Sequence, residues 1–239
     1  MADERTGVDR DAGQPARRPE RAPSVAELVR RRVLHSHERF WVPSDFADLP
    51  RRRALRALGR LEESGELRRV RRGLYWRAHT LAGGRVAPPP LDLVAKVIGI
   101  EHGIGPAGAS AAHLLGLRSR RPSELVIAVP ARAPREIQGV SVLSRAGRQG
   151  RIAKRLTPHE VALLEILEDE RERKRAGAEE LKAALGRCRP AALASAAASE
   201  PAIVRQGLIN LLELAGASEA ATAVPECFGA LARERAWRP

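Results

Sequence analysis

Residues 51–77 read RRRALRALGRLEESGELRRVRRGLYWR. The segment holds ten Arg against three Glu, a local net charge of +7 in a chain whose total is +13. Apolar residues recur at helical spacing in its first half, and Gly65 interrupts the period. Two short β-branched or aromatic runs follow, on either side of Arg71-Arg72-Gly73. The order is therefore a basic helix, a stop and a basic hairpin. Gly65 suits a helix C-terminus. Gly73 suits the positive φ of a tight hairpin turn.

On a wheel of roughly 100° per residue, Ala54, Leu55, Leu58 and Leu61 gather on one side. Arg52, Arg53, Arg56, Arg60 and Glu63, with Gly59, gather on the other. The first stripe is expected in the core and the second against a partner. Arginine forks match guanine edges or phosphate oxygens. A mid-helix Gly costs roughly 1 kcal/mol against Ala, and on this face it would let a ligand backbone approach closely. The hairpin adds Arg68, Arg69, Arg71 and Arg72, suited to phosphates or a minor groove. The blander readings are a solvated helix face and a hairpin whose edge is protected by charge. Tyr75 and Trp76 could stack on bases, but anchoring the hairpin to the first helix is favoured.

Upstream, Ser24 and Glu27 stand at capping-box spacing ahead of an apolar face of Val25, Leu28, Val29 and Val33. Phe40-Trp41-Val42 suits a short strand. Pro43 and Ser44 open a short second helix through Phe46 and Leu49, with Ser44 its N-cap and a secondary phosphate contact. Pro50 suits the first turn of the third helix. Residues 23–81 thus predict a winged helix-turn-helix DNA-binding domain. Its expected DNA-binding residues are Ser44, Arg52, Arg53, Arg56, Arg60, Arg68, Arg69, Arg71 and Arg72. Residues 1–22 carry no apolar period and are expected to be disordered.

The Gly- and Pro-rich run AGGRVAPPP at 82–90 is the expected domain boundary. A mixed helix and strand domain is expected over 91–186: helices at 91–102 and 109–117, and strands at 124–129 and 140–143. A helix then opens at Thr157-Pro158-His159-Glu160 with a capping box and Pro at N1. Residues 187–239 read as a helical extension. The fold class is α+β. Glu165, Glu168, Asp169 and Glu170 alternate with arginines and read as ion pairs on a solvated helix face; a nuclease-type carboxylate cluster is the sharper alternative.

The basic residues number 38 Arg and 4 Lys, so part of the charge reflects composition, and only the local clustering points to nucleic acid. Cys188 and Cys227 show no metal spacing and read as plain buried thiols. His35 and His37 suit a helix C-terminus, and His113 and His159 read as ordinary. No nucleophile elbow, phosphate loop or zinc-protease motif occurs, so neither catalysis nor a cofactor is expected. With no signal-like or membrane-spanning run, a cytoplasmic protein with no membrane partner is expected.

The stretch 40–77 resembles the winged-helix domain of the AbiEi-type antitoxins of abortive-infection type IV toxin–antitoxin systems. The resemblance rests on Val42-Pro43-Ser44-Asp45, Ala57-Leu58-Gly59-Arg60-Leu61, Gly65-Glu66-Leu67 and Arg72-Gly73-Leu74-Tyr75. It extends more loosely through the helix at Ala109–Leu117 and the strands near 125 and 141, covering about 23–186. It implies a repressor of its own operon that binds double-stranded DNA at promoter inverted repeats. It also implies a second domain that neutralises a nucleotidyltransferase-like toxin. The alternatives from the residues are a stand-alone regulator with a ligand-sensing second domain, and a nucleic-acid enzyme with a targeting winged helix.

Overall fold

The computed structural model describes residues 22–36, 40–77, 89–132, 137 and 139–225. The first helix, α1 (Val25–His35), starts on the predicted capping box. Glu27 Oε2 accepts from the Ser24 amide at 2.6 Å, and the Glu27 amide donates to Ser24 Oγ at 3.3 Å. Strand β1 (Phe40–Trp41) leads into a 3-10 turn, Pro43–Phe46, where a longer helix was expected. Ser44 is not its N-cap. That position is Val42, whose amide donates to Asp45 Oδ2 at 2.8 Å. The turn ends early because Leu49 and Pro50 hand the chain directly to the next helix. The Leu49 amide closes on the Phe46 carbonyl at 3.0 Å.

Helix α2 (Arg51–Glu63) follows Pro50 and stops as expected at Gly65, whose φ is +76°. The Leu67 amide then donates back to the Leu61 carbonyl at 2.9 Å, fixing the exit. Strands β2 (Arg68–Arg71) and β3 (Leu74–Trp76) form an antiparallel hairpin with Gly73 at φ +72° in its turn. A non-glycine residue is strained there. β1 pairs antiparallel with β3, giving a three-stranded sheet of order β1-β3-β2.

Beyond residue 88 come α3 (Leu91–Ile98), β4 (Gly105–Pro106), α4 (Gly108–Leu114), β5 (Leu125–Val129) and β6 (Val140–Ser144). α3 ends at Gly99, in the left-handed region, earlier than the sequence pattern implied. The second sheet has the order β4-β5-β6, with β5 and β6 parallel. α5 (Gly150–Ala153), α6 (Pro158–Glu168), α7 (Glu170–Arg175), α8 (Ala178–Leu185), α9 (Pro190–Ala196), α10 (Ala202–Leu214) and α11 (Ser218–Thr222) complete the described chain. α6 begins on the predicted Thr157–Glu160 capping box with Pro158 at its first turn. It is buried from Glu160 to Leu167, as a helix with apolar residues on all sides must be.

Three apolar clusters hold these elements together. α1, α2 and the 3-10 turn close around Val29, Val33, Phe46, Leu58 and Tyr75. α6 forms the axis of the largest cluster, against α4, α8 and α10, and α9 adds Leu193, Ala194 and Ala196 to it. The third cluster draws Val70, Leu74 and Trp76 of the hairpin together with Val94, Ile104, Ile127, Val129, Ile137 and Val140. The hairpin therefore has one side in the core of the first half and the other in a core shared with the second. The expected boundary at 82–90 falls mostly outside the described residues, as do residues 1–21 and 226–239. Among the described residues no helix is long and apolar enough to cross a membrane.

Candidate nucleic-acid interface

The arginines differ in how they are partnered. Those that hold the fold are paired. Arg30 Nε reaches Glu66 Oε2 at 3.1 Å, tying α1 to the start of the hairpin. Arg32 forms a bidentate pair with Asp48, which raises its own pKa and lowers that of Asp48, chiefly through those hydrogen bonds. Arg77 Nη1 donates to the carbonyls of Leu34 and Ser36, each at 2.7 Å, satisfying the end of α1.

Arginines without a carboxylate within 4.0 Å among the described residues include Arg31, Arg120, Arg121, Arg171 and Arg175, but they gather most densely on α2. Arg52, Arg53, Arg56 and Arg60 are all exposed. Among the described residues none of them has a carboxylate within 4.0 Å. Arg52, Arg56 and Arg60 follow one another at i,i+4. Like charges at that spacing cost roughly 0.2–0.5 kcal/mol per pair. A polyanion along this face would relieve the repulsion.

The opposite face buries Ala54, Ala57, Leu58 and Leu61. Leu55, expected in that stripe, is instead 36% exposed. The buried arc is centred between Ala54 and Leu61, so Ala57 falls inside it and Leu55 on its rim. Gly59 lies on the basic side, and a Cβ built there would meet nothing within 4 Å. An open groove of about 700 Å³ runs along this side, lined by Arg53, Arg56, Gly59, Arg60 and Glu63, with Ser24 to Ala26 of α1 as its far wall.

The remaining predicted site residues divide. Arg69, Arg71 and Arg72 are exposed on β2 and its turn. Arg68 is half-buried, and its Nη1 would stand 3.9 Å from a Cβ on Gly139, so it leans over the second half of the chain. Ser44 is exposed in the 3-10 turn. Tyr75 and Trp76 are buried and serve as hairpin anchors, Tyr75 toward α1 and α2 and Trp76 in the shared cluster. Trp76 packs with its indole N–H buried and unpartnered.

Of the charges expected on a solvated face, Glu170 pairs in solvent with Lys174 at i,i+4, 2.7 Å apart, but Glu165 belongs to a cluster in the interior. Glu165 is 2% exposed and Arg151 is fully buried. Arg151 donates from Nε and Nη2 to Glu200 at 2.6 and 2.8 Å and from Nη1 to Glu165 at 2.8 Å. Arg145 forks onto Glu165, and Arg148 onto Glu168. The three arginines and three glutamates balance in charge. Burial opposes the charge on Arg151, but the bonds to Glu200 and Glu165 outweigh it and raise its pKa. Burial likewise pushes Glu168 up, yet Arg148 and its neighbours hold it below the ordinary carboxylate value. α6 is pinned in this way to the β6–α5 connection and to the turn before α10. Arg118 with Glu172 and Arg189 with Glu160 are further paired arginines of the second half.

Cys188 is partly buried, and desolvation, with Glu160 next, pushes its thiol up to about 11. Cys227 and His37 lie outside the described residues. His113 Nδ1 lies 3.1 Å from the Arg118 carbonyl. Burial, with Arg187 next, lowers the His159 pKa.

No protein-family model and no curated protein matches the chain. Among solved structures it is similar to the RV2827C protein from Mycobacterium tuberculosis. The two share 20% sequence identity over 85% of this chain and 81% of that one, with a TM-score of 0.49.

Proposed function

We propose that this chain is a winged-helix DNA-binding protein that represses its own operon, with α2 as the helix that enters the major groove and the β2–β3 hairpin as the wing. The observation that carries this reading is the gathering of exposed arginines without carboxylate partners on one face of α2. Arg30, Arg32, Arg118, Arg145, Arg148, Arg151 and Arg189 are held by carboxylates. Arg52, Arg53, Arg56 and Arg60 converge, without carboxylate partners among the described residues, on one face of one helix. α1, the 3-10 turn, α2 and a hairpin closed by β1 follow in the order such a domain requires. Arg69, Arg71 and Arg72 would lie along phosphates. Arg68, leaning on the second half, contributes less.

The resemblance to AbiEi-type antitoxins supports a second role, neutralisation of a nucleotidyltransferase-like toxin by residues 91–186. That role rests on the resemblance alone. The stand-alone regulator differs from it only in the second half's ligand. The enzyme reading needs free carboxylates, whereas Glu165, Glu168 and Glu200 are engaged by guanidinium groups.

A variant with Arg52, Arg53, Arg56 and Arg60 all changed to Ala tests the division of labour. It is expected to lose repression of its own promoter while still rescuing cells that express the toxin encoded next door. A folded variant at normal abundance that keeps repression would overturn the DNA-binding face. One that fails to rescue would overturn the separate antitoxin role.

A further inference from the structure

We infer that Leu55 is a base-specificity residue of α2, reading the C5-methyl group of a thymine in the major groove. The inference rests on the DNA-binding reading above and adds to it an apolar contact that hydrogen-bonding arginines do not supply.

Leu55 is one of two large hydrophobic side chains that stand exposed among the described residues; the other is Leu143 in β6. A single exposed leucine is unremarkable in most settings. Its surroundings set this one apart. At roughly 100° per residue, Leu55 lies about 40° from Gly59 and about 60° from Arg52 on the helix circumference. Gly59 follows it by one turn and presents no side chain, and the space above it is open for 4 Å. Leu55 and Gly59 therefore form a shallow apolar notch, with Arg51 about 40° and Arg52 about 60° from Leu55 and Arg56 further round on the exposed side. The apolar core of α2 begins only at Leu58, on the other flank of Leu55.

The major groove offers one apolar group, the thymine methyl, beside the guanine N7 and O6 acceptors that arginine recognises. An apolar notch flanked by guanidinium forks is complementary to a thymine near a guanine. Side chains one helical turn apart are ~5–6 Å apart at Cβ, and base pairs stack at ~3.4 Å. The thymine should therefore fall within about two base pairs of a guanine contacted by Arg52 or Arg56. Phosphate contacts alone would give no such preference.

The test deletes the methyl without touching anything else. Binding sites are selected from random duplex DNA with the full-length protein, and each thymine of the selected site is replaced in turn by deoxyuridine. Wild type is expected to lose about fourfold in affinity at one thymine per half-site, the worth of one buried carbon. Leu55→Ala, an exposed substitution whose folding is checked by thermal melting, is expected to bind about fourfold more weakly and to ignore that replacement. If no sequence is selected because the protein does not bind DNA, the functional reading and this inference fall together. A selected site at which no deoxyuridine replacement weakens wild type overturns the inference alone. So does Leu55→Ala keeping the full methyl dependence.

Discussion

Replacing Arg151 by Met removes the cation at the centre of the buried network while keeping most of the side-chain volume. Arg151 is fully buried and serves two carboxylates that are themselves 2% exposed. After the change, Glu165 keeps Arg145 at 2.7 Å, but Glu200 keeps only Arg148 at 3.3 Å. The network passes from three cations and three anions to a net charge of −1, with Glu200 the poorest in partners. Breaking a buried pair from one side costs about 3–5 kcal/mol, because the survivor remains desolvated. That is a large share of a typical total of about 5–15 kcal/mol. Adding Glu200→Gln restores neutrality, so the double variant should be more stable than Arg151→Met by at least ~1 kcal/mol. The assay is urea denaturation of wild type, both single variants and the double, followed by circular dichroism at pH 7.5. An Arg151→Met loss below ~1 kcal/mol, or a double variant whose loss equals the sum of the singles, would refute the reasoning.

Three further outcomes are expected. Glu160 and Glu168 are held below their ordinary value of 4.5, so their contribution is present above that pH and is lost as pH falls through the lower folded value; urea midpoints should hold from pH 7 to 5 and decline below about 4.5, and a rise there would contradict the sign. Gly59→Ala should stabilise the fold by up to ~1 kcal/mol yet weaken DNA binding, because its Cβ has room in the free protein and would stand on the side proposed to face DNA; gain in both would count against close approach. A 23–82 fragment should fold and bind DNA more weakly than the full chain, because it exposes Val70, Leu74 and Trp76; a fragment as stable as the parent by thermal melting would mean that the shared cluster contributes nothing.

Several element ends were legible in both halves because their signals are local. The Ser24 and Thr157 capping boxes, the stop at Gly65 and the turn at Gly73 each depend on residues a few positions apart. Arg52, Arg53, Arg56 and Arg60 of α2 were placed together by periodicity alone. Leu55 was misplaced because a wheel gives relative angles. It does not say where the buried arc is centred, which depends on how α1 crosses α2. Ser44 lost its capping role to Asp45, since both residue types cap and the choice rests on the turn's geometry. The buried glutamates were misread for a different reason. Alternating Glu and Arg along one segment mimics i,i+4 pairing, whereas the true partners of Glu165 lie 14 to 20 residues earlier and those of Arg151 extend 49 residues on. The docking of the hairpin on the second half left no local trace, because Val70, Leu74 and Trp76 alternate as any half-buried strand would.

Salt dependence of DNA binding tests the central claim most directly. The full-length protein is titrated onto its own upstream region and onto a scrambled duplex across about 50–200 mM salt, beside the variant lacking Arg52, Arg53, Arg56 and Arg60. If about six arginines neutralise phosphates, the logarithm of the binding constant should fall against the logarithm of salt with a slope of roughly −5. The upstream region should bind more tightly than the scramble, and the variant should show a shallower slope and no preference between them. Affinity that does not change with salt, or a variant that binds as wild type does, would contradict the account.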